Sequence, residues 1–319
     1  MRISWPLGLL LATVVGGPAR AGPTFSVPDW GLPDPLVFIT YGDTRFTTPS
    51  ETAASSPAVR QALVAKIAGE HPAAIFINGD LPWHGIDADY EVYRAETRAW
   101  GAAHLRVYPA LGNHEFSACV ESTCLDRWWN TFPKLRGRRW YSVAIGAKLI
   151  GMALDSDASL LPGSEQRAWL EAQVASLDLR VRVVLIVMHH PPVADVQTVK
   201  LVEHNPRQNE QSLAGYLQKA AAHSAARFVV SGGHIHNYER LAQDGVTYLV
   251  SGGGGATPYE VDRSGADLYQ NTDFPNYHYV RFELHAATLR GEMIRLEDYA
   301  SLKPVQWKAK DGFEISLRP

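Results

Sequence analysis

The segment "FVVSGGHIHNYER", Phe228 to Arg240, closes an apolar run with two glycines and then sets two histidines one residue apart, His234 and His236. Residues i and i+2 of an extended segment project to the same side. Both imidazoles are therefore expected to reach one point beyond the strand end, and two neutral imidazoles on one point suit a transition metal. Taken alone, a loop with two ordinary histidines fits equally well. Four other apolar runs end in the same manner. "LVFITYGD" ends in Asp43, "AAIFINGD" in Asp80, "RVYPALGNHE" in Asn113 and His114, and "VRVVLIVMHH" in His189 and His190. Ligands of open α/β sheets bind beyond the carboxyl ends of strands, so these runs would gather their donors on one rim. A capping aspartate or a surface histidine explains any one of them, but not five in a row.

The elements that must carry these donors follow from periodicity. Residues 57–70 have helical apolar spacing with Pro57 in a first turn. Residues 87–100 read as one further helix with Asp87 as its cap. "LDRWWNTF" is a short helical candidate, "SEQRAWLEAQVASL" a helix capped by Ser164, and "QNEQSLAGYLQKAAAHS" another. "WYSVAIG" and "KLIGMALDS" read as a strand pair, and the C-terminal part is strand-rich. Strands alternating with helices, followed by strands, imply an α/β protein with two mixed sheets packed face to face and helices outside. No internal repeat or linker is visible, so a single domain is expected over 36–319, preceded by a Pro- and Gly-rich extended lead-in at 22–35.

Of 319 residues, 46% are hydrophobic and 20% charged, an ordinary globular balance that excludes the disordered and fibrous classes. The formal charge is -3 and no basic block occurs, so a nucleic-acid partner has no electrostatic support. Residues 1–21 combine Arg2, a short apolar core and an Ala19-x-Ala21 cleavage pattern, the form of a secretory signal peptide. No later segment is long enough to span a membrane, and a secreted or periplasmic protein is expected. In that setting Cys119 and Cys124, the two cysteines of the chain, are expected to form a disulfide.

The ordered set "GD" 42–43, "GD" 79–80, "GNHE" 112–115, "MHHPP" 188–192 and "GHIH" 233–236 resembles the calcineurin-like metallophosphoesterases, and within them the purple acid phosphatase-like branch. The continuation "NYER" is also similar to purple acid phosphatases, and the likeness runs from about residue 36 to 255. The resemblance implies a four-layer α/β/β/α sandwich and a dinuclear centre of two transition-metal ions drawn from Fe, Mn or Zn. By position, Asp80 would bridge the two ions. Asn113, His189 and His234 would complete one site with it, and Asp43 and His236 would belong to the other. The His-x-Pro pattern selects His189 over His190. Such a centre hydrolyses phosphate esters by in-line attack of a metal-bridging hydroxide, with His114 protonating the leaving alkoxide or stabilising charge there.

Two positions depart from the pattern. Where many relatives have Asp-x-His, this chain has Asp43-Thr44-Arg45, and where purple acid phosphatases have a tyrosine three residues after the second aspartate, it has Trp83. Tryptophan offers only an N–H donor and cannot ligate, so the first site lacks its usual third side chain and the purple colour should be absent. His84 or water would have to complete it. Arg45 is a candidate to grip the substrate phosphate or to pair with a nearby carboxylate. The run Gly252 to Gly255 would either approach a phosphate or form a plain turn, and Trp128, Trp129, Tyr238 and His204 are candidate pocket residues. The expected function is hydrolysis of a small phosphorylated substrate, a monoester in the first instance. A phosphodiesterase or nucleotidase on the same site and a non-catalytic metal- or phosphate-binding relative remain open, as does the oligomeric state.

Overall fold

The computed structural model describes residues 22–197 and 204–317. The expected signal peptide, residues 1–21, lies outside them. Among the described residues, one sheet has seven strands in the spatial order β1 (Phe25–Val27), β5 (Tyr141–Ile145), β6 (Leu149–Ala153), β7 (Val183–Val187), β9 (Arg227–Gly232), β11 (Val246–Ser251) and β10 (Tyr238–Gln243). The other has six: β15 (Gln306–Ser316), β14 (Thr288–Glu297), β13 (His278–Leu284), β2 (Leu36–Tyr41), β3 (Ala74–Ile77) and β4 (Val107–Pro109). A small ribbon pairs β8 (Val196–Gln197) with β12 (Val261–Asp262). Both large sheets are mixed, as expected. The β2–β3–β4 and β6–β7–β9–β11 pairings are parallel, and the remaining pairings are antiparallel except for β1 on β5. The lead-in thus supplies β1, an edge strand.

Parallel neighbours need crossovers, and helices provide them. α1 (Pro57–Gly69) joins β2 to β3, and α2 (Asp87–Glu96) and α3 (Arg98–Ala102) lie between β3 and β4. α4 (Glu121–Thr131) follows β4, α5 (Glu165–Ala175) joins β6 to β7, and α6 (Gln208–Ala222) precedes β9. The alternation of side chains along β7 shows how the layers stack. Val183, Leu185 and Val187 face the core between the sheets, while Val184 and Ile186 face an outer core with Leu170 of α5 and Leu213 of α6. A strand buried on both faces must be apolar throughout, which is why β7 reads as an unbroken apolar run. The result is the α/β/β/α sandwich expected from the sequence.

Several local expectations hold and one does not. Ser164 accepts the Arg167 N–H at 3.3 Å and caps α5. Pro57 opens α1 behind the cap Ser56. Cys119 and Cys124 form a disulfide. The stretch 87–100, however, is two helices, and Ile86 rather than Asp87 occupies the cap, with no side-chain bond. Thr97 makes the break. Its N–H keeps the helix bond to the Tyr93 carbonyl at 2.9 Å, and its hydroxyl donates to the same carbonyl at 2.7 Å, a back-bond that bends helices.

The core between the sheets is aromatic where β2 crosses it. Phe38 stacks on Phe282 at 4.8 Å and meets the edge of Phe76 at 6.3 Å, with no exposure. Phe38→Ala should cost about 3–5 kcal/mol, read as a lower urea midpoint with an unchanged slope.

Candidate metal centre

Each donor sits in the loop just past a strand end, and the loops are tied to one another before any side chain is considered. The Asp43 N–H donates to Gly79 O at 3.2 Å and the Arg45 N–H to Asp80 O at 2.9 Å. Asp43, Arg45, Asp80 and His234 all adopt positive φ, between 46° and 69°. Such backbone is costly for residues with a Cβ and persists only where the surroundings over-determine it. Gly112 and Gly233 are required by close approach. A Cβ at Gly112 would lie 2.5 Å from the Asp80 nitrogen, and one at Gly233 would lie 2.4 Å from Asp43 Oδ2.

The sequence placed His234 and His236 on one extended face, and the structure corrects this. β9 ends at Gly232, and the two histidines follow in successive tight turns, Ile235 N–H to Gly233 O at 2.8 Å and Asn237 N–H to Ile235 O at 2.7 Å. They reach the same centre from different directions, each joining a different set of donors.

The first set is Asp80, Asn113, His189 and His234. His189 Nδ1 lies 3.0 Å from the Asn78 carbonyl. A carbonyl only accepts, so Nδ1 carries the proton and Nε2 presents a lone pair. That lone pair faces Asn113 Oδ1 at 2.9 Å, His234 Nδ1 at 3.1 Å and Asp80 Oδ1 at 3.2 Å. Burial and the neighbouring His189 and His190 push His234 well below the ordinary imidazole range, so its ring is neutral. Electron-rich atoms this close, in a site with no exposure at Asp80 or His189, suit a cation among them. The donor set of imidazole, amide and carboxylate oxygen fits Mn, Fe or Zn.

His190 belongs beside this set. Its Nδ1 contacts Ser156 Oγ at 2.8 Å, and His189, His190 and His234 form one group able to hold an ion. His189 is nevertheless the histidine whose nitrogen meets Asn113 and Asp80.

The second set is Asp43, Asp80 and His236. His236 Nδ1 donates to the Thr257 carbonyl, which leaves Nε2 without a hydrogen-bond partner among the described residues and facing Asp43 Oδ1 at 3.4 Å. That orphaned nitrogen suits a cation. Asp80 fits one less well on this side, because its Oδ2 already accepts from Arg45 Nε and Nη2 at 3.3 and 3.2 Å. Burial alone would raise the Asp80 carboxyl, but its charged neighbours, the Arg45 guanidinium among them, hold it below the ordinary carboxylate range.

Trp83 supports two of the candidate residues at once. The Arg45 guanidinium lies over its ring at 4.9 Å, and the His114 ring stacks on it at 4.6 Å. His114 Nδ1 donates to the Trp83 carbonyl at 2.7 Å, and Nε2 stands 3.7 Å from Asp80 Oδ2. Burial lowers the His114 pKa, partly offset by Asp80.

Glu115 carries no role in the sequence reading. Its fully buried carboxyl, pushed well above the usual carboxylate range by burial and by Asp80, accepts the N–H groups of Asp80, Leu81 and Gly112 at 3.2, 3.1 and 2.8 Å. It therefore fixes the turn that aims Asp80. Tyr259 carries no sequence signal either. It stacks on His236 at 4.2 Å and on His204 at 5.1 Å. The other pocket candidates lie elsewhere. Trp128 is buried in the core against Phe132, Trp129 bonds the Arg138 carbonyl, and Tyr238 bonds Asp311 in β15. His84 is two-fifths exposed and lies 3.8 Å from Asp89. The glycine run packs behind the centre, with Gly254 N–H on Gly42 O at 2.9 Å and no room for a Cβ at Gly252 beside Asp43.

A two-sheet sandwich with a rim of histidine, asparagine and aspartate donors defines a class, and comparison with known proteins gives it a family. The family profile of calcineurin-like phosphoesterases matches residues 42–238. The chain belongs to that family. No curated protein sequence matches it. A purple acid phosphatase, PPD1 from yellow lupin (Lupinus luteus), superposes with a TM-score of 0.69 at 18% identity, over 88% of this chain. This chain spans about half, 53%, of the lupin protein. A dimetal phosphatase from Danio rerio gives a TM-score of 0.57 at 15% identity over 93% of this chain and 99% of its own. GAP50, the anchor in the inner membrane complex of Plasmodium, gives 0.60 at 12% identity over 89% of both chains. At these identities the likeness is one of fold.

Glu115→Ala should loosen the Asp80 turn without removing a donor. Metal affinity should fall about 10–100-fold, measured by competition with a chromogenic chelator.

Proposed function

We propose that this chain is an exported, metal-dependent phosphomonoesterase, with the metal held by Asp80, Asn113, His189 and His234. The observation that carries the reading is the convergence of His189 Nε2 on Asn113 Oδ1, His234 Nδ1 and Asp80 Oδ1 within 3.2 Å. When bound, the metal, drawn from Mn, Fe or Zn, supplies a water of lowered pKa as nucleophile and positive charge for the phosphoryl oxygens.

The chain's own residues supply the rest. Arg45 keeps a fixed positive charge beside the pocket, which suits the doubly negative terminal phosphate of a monoester. Trp83 holds the guanidinium and the His114 ring in place from one face. His114 keeps Nδ1–H on the Trp83 carbonyl, so in the imidazolium form, which the Asp80 carboxylate favours against burial, Nε2–H is the proton handed to the leaving oxygen as the phosphorus–oxygen bond breaks. Water is consumed, and alcohol and inorganic phosphate leave. Export is supported by the N-terminal pattern ending at Ala21 and by the Cys119–Cys124 disulfide, which suits an oxidising compartment. Among the described residues no helix is long and apolar enough to cross a membrane.

An aryl phosphate and its bis-aryl ester, assayed with Mn, Fe and Zn in turn, test the reading. The monoester should be hydrolysed faster, and chelation should abolish turnover until metal returns. Faster hydrolysis of the diester would move the assignment to a phosphodiesterase. No hydrolysis of either would leave a non-catalytic relative. His114→Ala should lower kcat about 10²–10⁴-fold for an alkyl phosphate and less for a nitrophenyl ester, whose leaving group needs no proton. Metal content should not change.

A further inference from the structure

Two side chains beside Asp80, Arg45 and Trp83, touch each other. Position 45 carries arginine and position 83 tryptophan, and the guanidinium lies over the indole at 4.9 Å. The arginine is held on every side. Its N–H donates to the Asp80 carbonyl at 2.9 Å, and its own carbonyl accepts from Ser55 Oγ at 3.0 Å. Its side chain is 9% exposed and that of Asp80 not at all. Both Nε and Nη2 reach a single oxygen, Asp80 Oδ2, while the other oxygen, Oδ1, accepts the His114 N–H at 3.0 Å and lies 3.2 Å from His189 Nε2. The two oxygens of the carboxylate are thus divided between a guanidinium on one side and His189, the neighbour of Asn113 and His234, on the other.

A guanidinium and a metal ion on the same carboxylate oxygen exclude each other, by contact and by like charge. Tryptophan adds no ligand and favours the guanidinium through its ring face. Against Asp80 Oδ2 the chain therefore places an organic cation, Arg45, and the platform that holds it, Trp83. We propose that Arg45 occupies the cation position of the Asp43–Asp80–His236 half of the centre. The protein then retains one metal ion tightly, in the Asp80–Asn113–His189–His234 pocket. This rests on that pocket holding a metal, as the proposed function requires. Asp43 and His236 still face each other at 3.4 Å, with His236 Nε2 lacking a hydrogen-bond partner among the described residues. They accept a second ion weakly, in competition with Arg45 for Asp80 Oδ2.

The test is metal stoichiometry on the full chain, by elemental analysis after dialysis against Mn²⁺ or Zn²⁺ and by calorimetric titration of the apoprotein with the same ions. One ion per chain should survive dialysis, with a second binding at least about 100-fold more weakly. Arg45→His, which removes the guanidinium and adds an imidazole, should retain two ions. Two ions of comparable affinity in the unaltered protein would overturn the inference and leave the phosphoesterase reading standing. One tight ion in both proteins would show that Arg45 is not what displaces the second. No retained ion in the unaltered protein would overturn both readings. The unaltered protein fixes the stoichiometry even if Arg45→His fails to fold. In that case Trp83→Phe, which weakens the platform alone, should tighten the second ion about tenfold, and an unchanged second isotherm would count against the pair.

Discussion

The side-chain amide of Asn78 joins the two sheets at the rim where the donors meet. Its nitrogen donates to Ser231 Oγ and Gly232 O at the end of β9, both at 3.1 Å, and to Ser251 O at the end of β11 at 3.3 Å. The backbone carbonyl of Asn78 fixes the His189 ring, and its backbone N–H returns to Tyr41 O in β2. One residue of β3's loop therefore contacts strands of both sheets and one metal-binding side chain. Asp43, Asp80 and Asn113 come from the six-stranded sheet, and His189, His234 and His236 from the seven-stranded one. Any sliding of one sheet over the other would split the centre in two. The core beneath packs Phe38, Phe76 and Phe282 of one sheet in the same cluster as Val183, Leu185 and Val187 of the other. It resists such sliding because close-packed interiors do not deform continuously.

Strain is part of the centre's construction. Among the described residues, four of the nine non-glycine residues with positive φ belong to it, at a cost of about 1–3 kcal/mol each. The loops survive because their backbone groups bond one another and because Glu115 gathers three N–H groups at once. The same loops exclude side chains at Gly112 and Gly233, so the close approach of chains and the strain of their turns have one origin. What the arrangement provides is a set of lone pairs brought together before the ion arrives, a cost met by the fold rather than by binding.

Much of this was legible in the sequence, for identifiable reasons. An apolar run followed by a small residue and a polar donor states both the strand and the position of the donor past its end, which is why the rim was visible from Asp43 to His236. Ser164 and Pro57 announced helix starts through local chemistry. The contacts that were not legible are long-range. Nothing near Arg45 says that its guanidinium will meet Asp80, thirty-five positions on, or that Trp83 will lie beneath it. Tyr259 and Glu115 act through neighbours that only the fold supplies. The reading of His234 and His236 as one face failed because strand alternation was extended past Gly232, where the chain turns. The break at Thr97 was missed because apolar periodicity does not register a hydroxyl bonding its own helix.

The central claim is that four side chains from two sheets, Asp80, Asn113, His189 and His234, hold one metal ion. Anomalous diffraction from crystals of the protein loaded with Mn or Zn tests it most directly. The account predicts a strong peak bonded to Asp80 Oδ1, Asn113, His189 and His234. Metal found only at other residues, with these four side chains still in contact with one another, would contradict it.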